Sequence, residues 1–290
     1  MEIRNIQKTG DMHYLYLPTS WCREQGITSK SKVSIIHNSD GTLSISPEIT
    51  EKKPKHLKFT ISEDDPEIIH KLVVSSYIHP VSSFEISMDK EVDFTKLINQ
   101  KRLISLESVE IDKKQITSEG IVTVSDPSSL LKTMARKIKN LIIIIGQNYD
   151  KNLIEKYEDE IDRSKMLIDK SVIGSLTMGK TTKLKSIELY YISIISRELE
   201  RVVDRLICFD PKDQKFLDEI TKPIEILQDI LHEPSKLDQE LAIKFARCVS
   251  HINTPNTKDQ KNMDMSRIIA NLTNISEVIM DWMVTLRIEK

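Results

Sequence analysis

Two acidic pairs carry the spacing with the most chemistry in this chain: Glu158 with Asp162, and Glu200 with Asp204. Residues four apart share one helix face, and two carboxylates there repel by roughly 0.2–0.5 kcal/mol on an isolated helix. Repeating that cost on two neighbouring helices implies a cation between them. Hard ions take oxygen ligands, and carboxylates projecting from facing helices are one way to hold them. An oxygen-only set favours Mg, Ca, Mn or Fe over a structural zinc site. The alternative is a solvated acidic surface neutralised by Arg163, Arg197, Arg201 and Arg205. Exposed ion pairs of that kind are common and weak.

Other chemistries find less footing. Cys22, Cys208 and Cys248 are isolated, with no C-x-x-C and no zinc spacing, and no histidine pair has the H-x-x-x-H pattern. A reducing, cytoplasmic setting is expected. Gly174 to Thr181, GSLTMGKT, matches the phosphate-loop pattern G-x-x-x-x-G-K-[ST]. That loop works only where a buried strand leads into a helix. Here a charged amphipathic segment precedes it, so the match is read as chance. No nucleophile–base pair stands out, and no enzymatic activity is expected. The longest apolar run, Leu141 to Ile145, is too short to cross a bilayer, and the start has no apolar signal region.

The formal net charge is −2, so no global field favours nucleic acid. Any DNA contact must come from a local set, and Arg4, Lys8, Arg23, Lys30 and Lys32 form the only one near the N-terminus. Doubled in a dimer, they would track phosphates. Their neighbours Glu2, Asp11, Glu24, Asp40 and Glu48 leave the region near neutral, which keeps the ordinary surface reading open.

The elements that must position these residues fall into three regions, a multidomain layout. Residues 1–49 are expected as a small β-rich head: strands over 3–8 and 13–17, a helix opening at Pro18 and closed by Gly26, and strands over 33–37 and 43–46 joined through Asn38 to Gly41. Fifty residues with so little core seldom fold alone, so partner strands from a second chain are expected. A charged, proline-broken linker follows. Residues 57–125 read as a small α+β domain: strands over 57–61, 84–88, 108–112 and 116–124, with helices over 66–77 and 94–100. Residues 126–290 carry helical period almost throughout. Asp126-Pro127 opens the first helix, and five more are expected at about 151–173, 183–209, 213–232, 236–252 and 263–288. Six antiparallel helices imply two three-helix units packed as one all-α bundle.

The run RELERVVDRL, residues 197–206, resembles the signature helix of the PhoU family of phosphate-uptake regulators. Leu199, Glu200, Arg201, Val202 and Asp204 match it, with Arg205 in place of the usual histidine. YEDEIDRSKMLI is similar to the companion motif through Glu158, Asp162 and Arg163. SRIIANLTNISEVI aligns with the second-repeat signature through Arg267, Ile268, Asn274, Ile275 and Glu277, but Ser266 and Ala270 stand where metal ligands are expected. QKTGDMHYLYLPTSWCREQGI resembles the AbrB/SpoVT/MazE swapped-hairpin domain through Gly10, Leu17, Pro18, Trp21 and Gly26. It departs from that pattern at Asp11, His13 and Ser31-Lys32. The layout looks like that of archaeal PhoU-type regulators.

The resemblance implies a divalent or iron metal cluster at Glu158, Asp162, Glu200 and Asp204. It also implies a homodimer or larger assembly, and a phosphate-responsive transcription or uptake regulator whose head binds operator DNA. An adaptor without DNA binding, docked on a phosphate transporter or a signalling kinase, is the alternative.

Overall fold

The computed structural model describes residues 3–37, 41–47, 56–79, 83–94, 109–119, 126–178, 184–253 and 259–288. The chain is a mixed α/β protein, rich in helix, with small sheets and a helical C-terminal region. It divides into two compact units, Met1–Lys53 and Pro54–Lys290.

The first unit contains two separate hairpins and a short helix. β1 (Gln7–Thr9) pairs antiparallel with β2 (Met12–Tyr14), Thr9 opposite Met12. The loop between them holds Gly10 at φ +61°, where tight hairpins favour glycine. α1 (Thr19–Glu24) begins after Pro18, and Gly26, at φ +63°, follows its end. β3 (Ser34–His37) pairs with β4 (Leu43–Ser46), Ile35 opposite Ile45. Among its described residues none is buried. Ile3, Ile6, Met12, Leu15, Tyr16, Ile35 and Leu43 are each more than half exposed. The strand expected from residue 3 begins only at Gln7, and that expected to reach residue 17 stops at Tyr14. Among the described residues neither hairpin has a further strand beside it, and an isolated two-stranded hairpin is marginal in water.

The second unit opens with β5 (His56–Ile61), α2 (Pro66–Ile78) and β6 (Ser83–Met88), a parallel strand pair joined by a helix. Asp65 caps α2, accepting from the Glu67 N–H at 2.8 Å, and Pro66 takes the first-turn position. The helix stops at Ile78 because His79 precedes Pro80 and is extended. β7 (Val109–Asp112) and β8 (Gln115–Glu119) complete a four-stranded sheet of order β5-β6-β8-β7. Ile69, Val73 and Tyr77 of α2 pack on Phe84, Ile86, Met88 and Ile116. The short helix expected over 94–100 falls almost wholly outside the described residues.

Six long helices follow: α3 (Pro127–Gln147), α4 (Lys151–Met178), α5 (Ser186–Leu206), α6 (Gln214–His232), α7 (Gln239–Ser250) and α8 (Gln260–Ile288). Asp126 caps α3 through the Ser129 N–H at 3.1 Å. Leu131, Met134, Ala135, Ile138, Leu141, Ile142 and Ile145 then form its buried face at helical spacing. The packing order closes on itself: α3 touches α4, α4 touches α5, α5 crosses to α8, α8 touches α7, α7 touches α6, and α6 returns to α3. Leu199, Val203, Leu227, Phe245, Leu272, Ile275 and Trp282 fill the middle. Met166 of α4 packs on the sheet's core, and the Lys170 ammonium lies 4.0 Å from the Tyr77 ring centre, a cation–π contact. The sheet and the bundle therefore share one compact unit.

Several helix boundaries differ from the sequence reading, most of all those of α4 and α5. α4 does not break at Gly174 but runs to Met178. A glycine inside a helix costs about 1 kcal/mol relative to alanine, and the flanking Val172 and Ser175 are buried, so packing holds the turn. α5 starts at Ser186 and ends at Leu206 rather than 209. Beyond it the Cys208 and Phe209 N–H groups bond back to Arg205 and Leu206, and Phe209 stacks on Phe216 at 5.5 Å. Pro223 sits buried inside α6.

Candidate metal centre

α4 and α5 pack side by side, and their facing sides carry the acids. Asp162 from α4 meets Glu200 and Asp204 from α5, with one oxygen of each within 4.8 Å of the others. Oxygens bound to one hard cation stand about 2.0–2.6 Å from it, so this spread fits a single ion. Glu158 lies one turn earlier on α4; its charge acts on Asp162, but its oxygens are not in the close trio.

Two arginines of α5 pair with other acids. Arg201 donates to Glu198 at 2.8 Å, and Arg205 lies 3.8 Å from Asp264 of α8. Lys165 is paired with Asp169 at 2.9 Å. Arg201 and Arg205 therefore make their direct contacts with Glu198 and Asp264, although their charges still act on Asp204. Asp162 Oδ1 is buried and has no hydrogen-bond partner, which is costly for a polar atom unless something else satisfies it.

The electrostatics follow. Burial, then the charges of Glu200, Asp204, Glu158 and Asp159, push Asp162 up to about 7. Burial and the Asp204 charge raise Glu200, against the pull of Lys165 and Arg201. Asp204, the most exposed of the trio, is raised by desolvation, with Arg205 and Arg201 opposing. Like charges this close either keep a proton or take up a cation. Binding a cation at neutral pH would release that proton. The donor set is all oxygen, which suits a hard ion.

The α8 counterpart is built differently. Ser266 bonds back to its own helix at Asn262, and Ala270 is exposed. In place of a carboxylate cluster, Asp264 faces Arg205 and Arg267, and Asn274 donates to Glu198 across the α5–α8 seam at 3.2 Å. The buried acids Glu198 and Asp264 escaped the sequence reading. Their signal was an arginine three residues on, Arg201 and Arg267.

The remaining features sit apart from this site. Gly174 to Met178, the first part of the phosphate-loop match, is helical; the rest lies outside the described residues. The cleft of about 860 Å³ between α6 and α7, lined by Lys222, Lys244, Arg247 and Cys248, contains none of the trio. Arg4, Lys8, Arg23, Lys30 and Lys32 are all exposed in the first unit: Lys8 on β1, Arg23 on α1, Lys30 and Lys32 between α1 and β3, and Arg4 ahead of β1. No described helix is long and apolar enough to cross a membrane. Compared with family models, curated proteins and solved structures, the chain finds no match in any of the three.

Proposed function

We propose that this protein is a dimeric, cation-dependent regulator of phosphate uptake, with a PhoU-like helical sensor and an AbrB-like head that binds DNA. The observation that carries this reading is the meeting of Asp162 with Glu200 and Asp204. These residues come from two separate helices, each quoted above for its family motif. Asp162, Glu200 and Asp204, with Glu158 beside them, would hold a divalent or iron ion. Its role would be to tie α4 to α5 and offer open coordination positions to phosphate or a partner.

The head fits the same reading. Its exposed apolar side chains need a second copy to cover them. Dimerisation would double the basic set Arg4, Lys8, Arg23, Lys30 and Lys32 on one assembly. Phosphate contacts from such a set supply affinity, while sequence reading needs base contacts as well.

Regulation requires that the bundle's ligand change the affinity of the head for DNA. A gel shift on the protein's own upstream region, with and without Mn²⁺ and inorganic phosphate, tests this. Allosteric couplings typically span about 5- to 150-fold, and a change of at least fivefold is the expected result. Equal affinities in all conditions would remove the sensing role. Absence of DNA binding altogether would leave the adaptor reading, in which the head only dimerises the bundle.

A further inference from the structure

Arg201 stands between two carboxylates of its own helix: Glu198 three residues before it and Asp204 three residues after. Both spacings bring side chains within reach on a helix face. The guanidinium is on Glu198 Oε1 at 2.8 Å, while Glu198 Oε2 takes the Asn274 amide of α8 at 3.2 Å. Glu198 is only 5% exposed. A buried carboxylate stripped of its partners is strongly destabilising, so Glu198 outcompetes the more exposed Asp204 for the one guanidinium. Arg205 repeats the pattern one turn later, 3.8 Å from the buried Asp264 and adjacent in sequence to Asp204. Arg201 still acts on the trio at a distance, since its charge opposes the upward shift of both Glu200 and Asp204.

We propose that Glu198, braced by Asn274, is a positioning residue that holds Arg201 off Asp204 and Glu200 and so keeps the carboxylate trio open to an external cation. The proposal rests on reading Asp162, Glu200 and Asp204 as a cation site. Without the tether, Arg201 needs only a rotamer change to fill that site with an internal positive charge. The α5–α8 seam thereby controls the α4–α5 seam, although Glu198 is not a ligand.

The test uses the full chain, Mn²⁺ titration and three variants. Glu198→Gln is expected to weaken Mn²⁺ binding about 10- to 100-fold, the usual scale for residues supporting a metal site. Adding Arg201→Gln to it should restore affinity to within about threefold of wild type. Arg201→Gln alone should bind at least as well as wild type. A merely structural Glu198 would give no such rescue, because removing Arg201 as well only loosens the seam further. Unchanged affinity in Glu198→Gln, or a double variant as weak as the single, overturns the proposal. Should the wild type take up no Mn²⁺, the cation reading fails by itself. Crystal structures of the metal-free wild type and Glu198→Gln then decide the tether: the Arg201 guanidinium moved onto Asp204 or Glu200 in the variant supports it, and one still turned away overturns it.

Discussion

Metal-free protein carrying Asp162→Asn is expected to be more stable than wild type at pH 8, by about 1–3 kcal/mol, and to have no such advantage at pH 4. The sign comes from the folded carboxyl, raised from its ordinary 3.8 to about 7, chiefly by burial and then by Glu200 and Asp204. Between those values the folded state holds a proton that the unfolded state has lost. Wild-type stability therefore falls as pH rises from about 4 and has lost this whole contribution above about 7. At roughly 1.4 kcal/mol per pH unit the loss approaches 4 kcal/mol. An amide avoids the ionisation but leaves a polar group needing partners, which takes back about 1–3 kcal/mol. For a chain of this size each kcal/mol moves the midpoint by about 2 °C, so the gain corresponds to a shift of about 2–6 °C.

Mn²⁺ should reverse the ranking. At a thousand times its dissociation constant a ligand stabilises the folded state by about 4.1 kcal/mol, more than the variant's advantage. Wild type should show that gain, increasingly so as the pH is raised through 7, and Asp162→Asn should not. Thermal melts at pH 4, 6 and 8, with and without Mn²⁺, provide the comparison. If the asparagine variant is less stable at pH 8 without metal, Asp162 is a hydrogen-bonding structural residue and the trio is not a cation site.

The double variant Ile35→Asp/Leu43→Asp is expected to convert a dimer into a monomer while the helical bundle stays folded. Strand alternation and the Ile35–Ile45 and His37–Leu43 pairings put Ile35 and Leu43 on one face of the β3–β4 hairpin. They are 57% and 58% exposed in the single chain. Burying a large aliphatic side chain contributes about 1.5–3 kcal/mol. Only the exposed part, a little over half of each residue, is left to bury, so two such residues counted twice in a symmetric pair contribute about 3–7 kcal/mol, and the dissociation constant should rise by more than about 10²-fold. Sedimentation at micromolar concentration reads the mass, and circular dichroism reads the helices. A wild type that sediments as a monomer, or a variant that stays dimeric, removes the head's proposed role.

Much of the scaffold was legible because its signals are local. Asp126-Pro127 and Asp65-Pro66 announce helix starts, and the Leu131 to Ile145 stripe repeats at helical spacing. Gly10 and Gly26 stand where the backbone takes positive φ. What the sequence did not disclose depends on long-range packing. Nothing local to Gly174 says that its neighbours are buried, so the continuation of α4 was not visible. Nothing local to Glu198 says that Asn274, 76 residues away, will bond to it. The site divides the same way. The acids were chosen from four-residue spacing and motif resemblance, but spacing alone does not place Glu158 outside the close trio. Nor does it tell which arginines are engaged elsewhere.

Because α5 leans on α8 and α6 on α3, the covalent link from residue 207 to 213 is not what joins the two halves of the bundle. Two long side-by-side contacts, on opposite sides of the barrel of helices, do that work. A chain severed in this connector should reassemble from separately made pieces, 1–209 and 210–290, and recover the wild-type helix content on mixing. The same closure makes any single long helix hard to remove, since each has a neighbour on both sides.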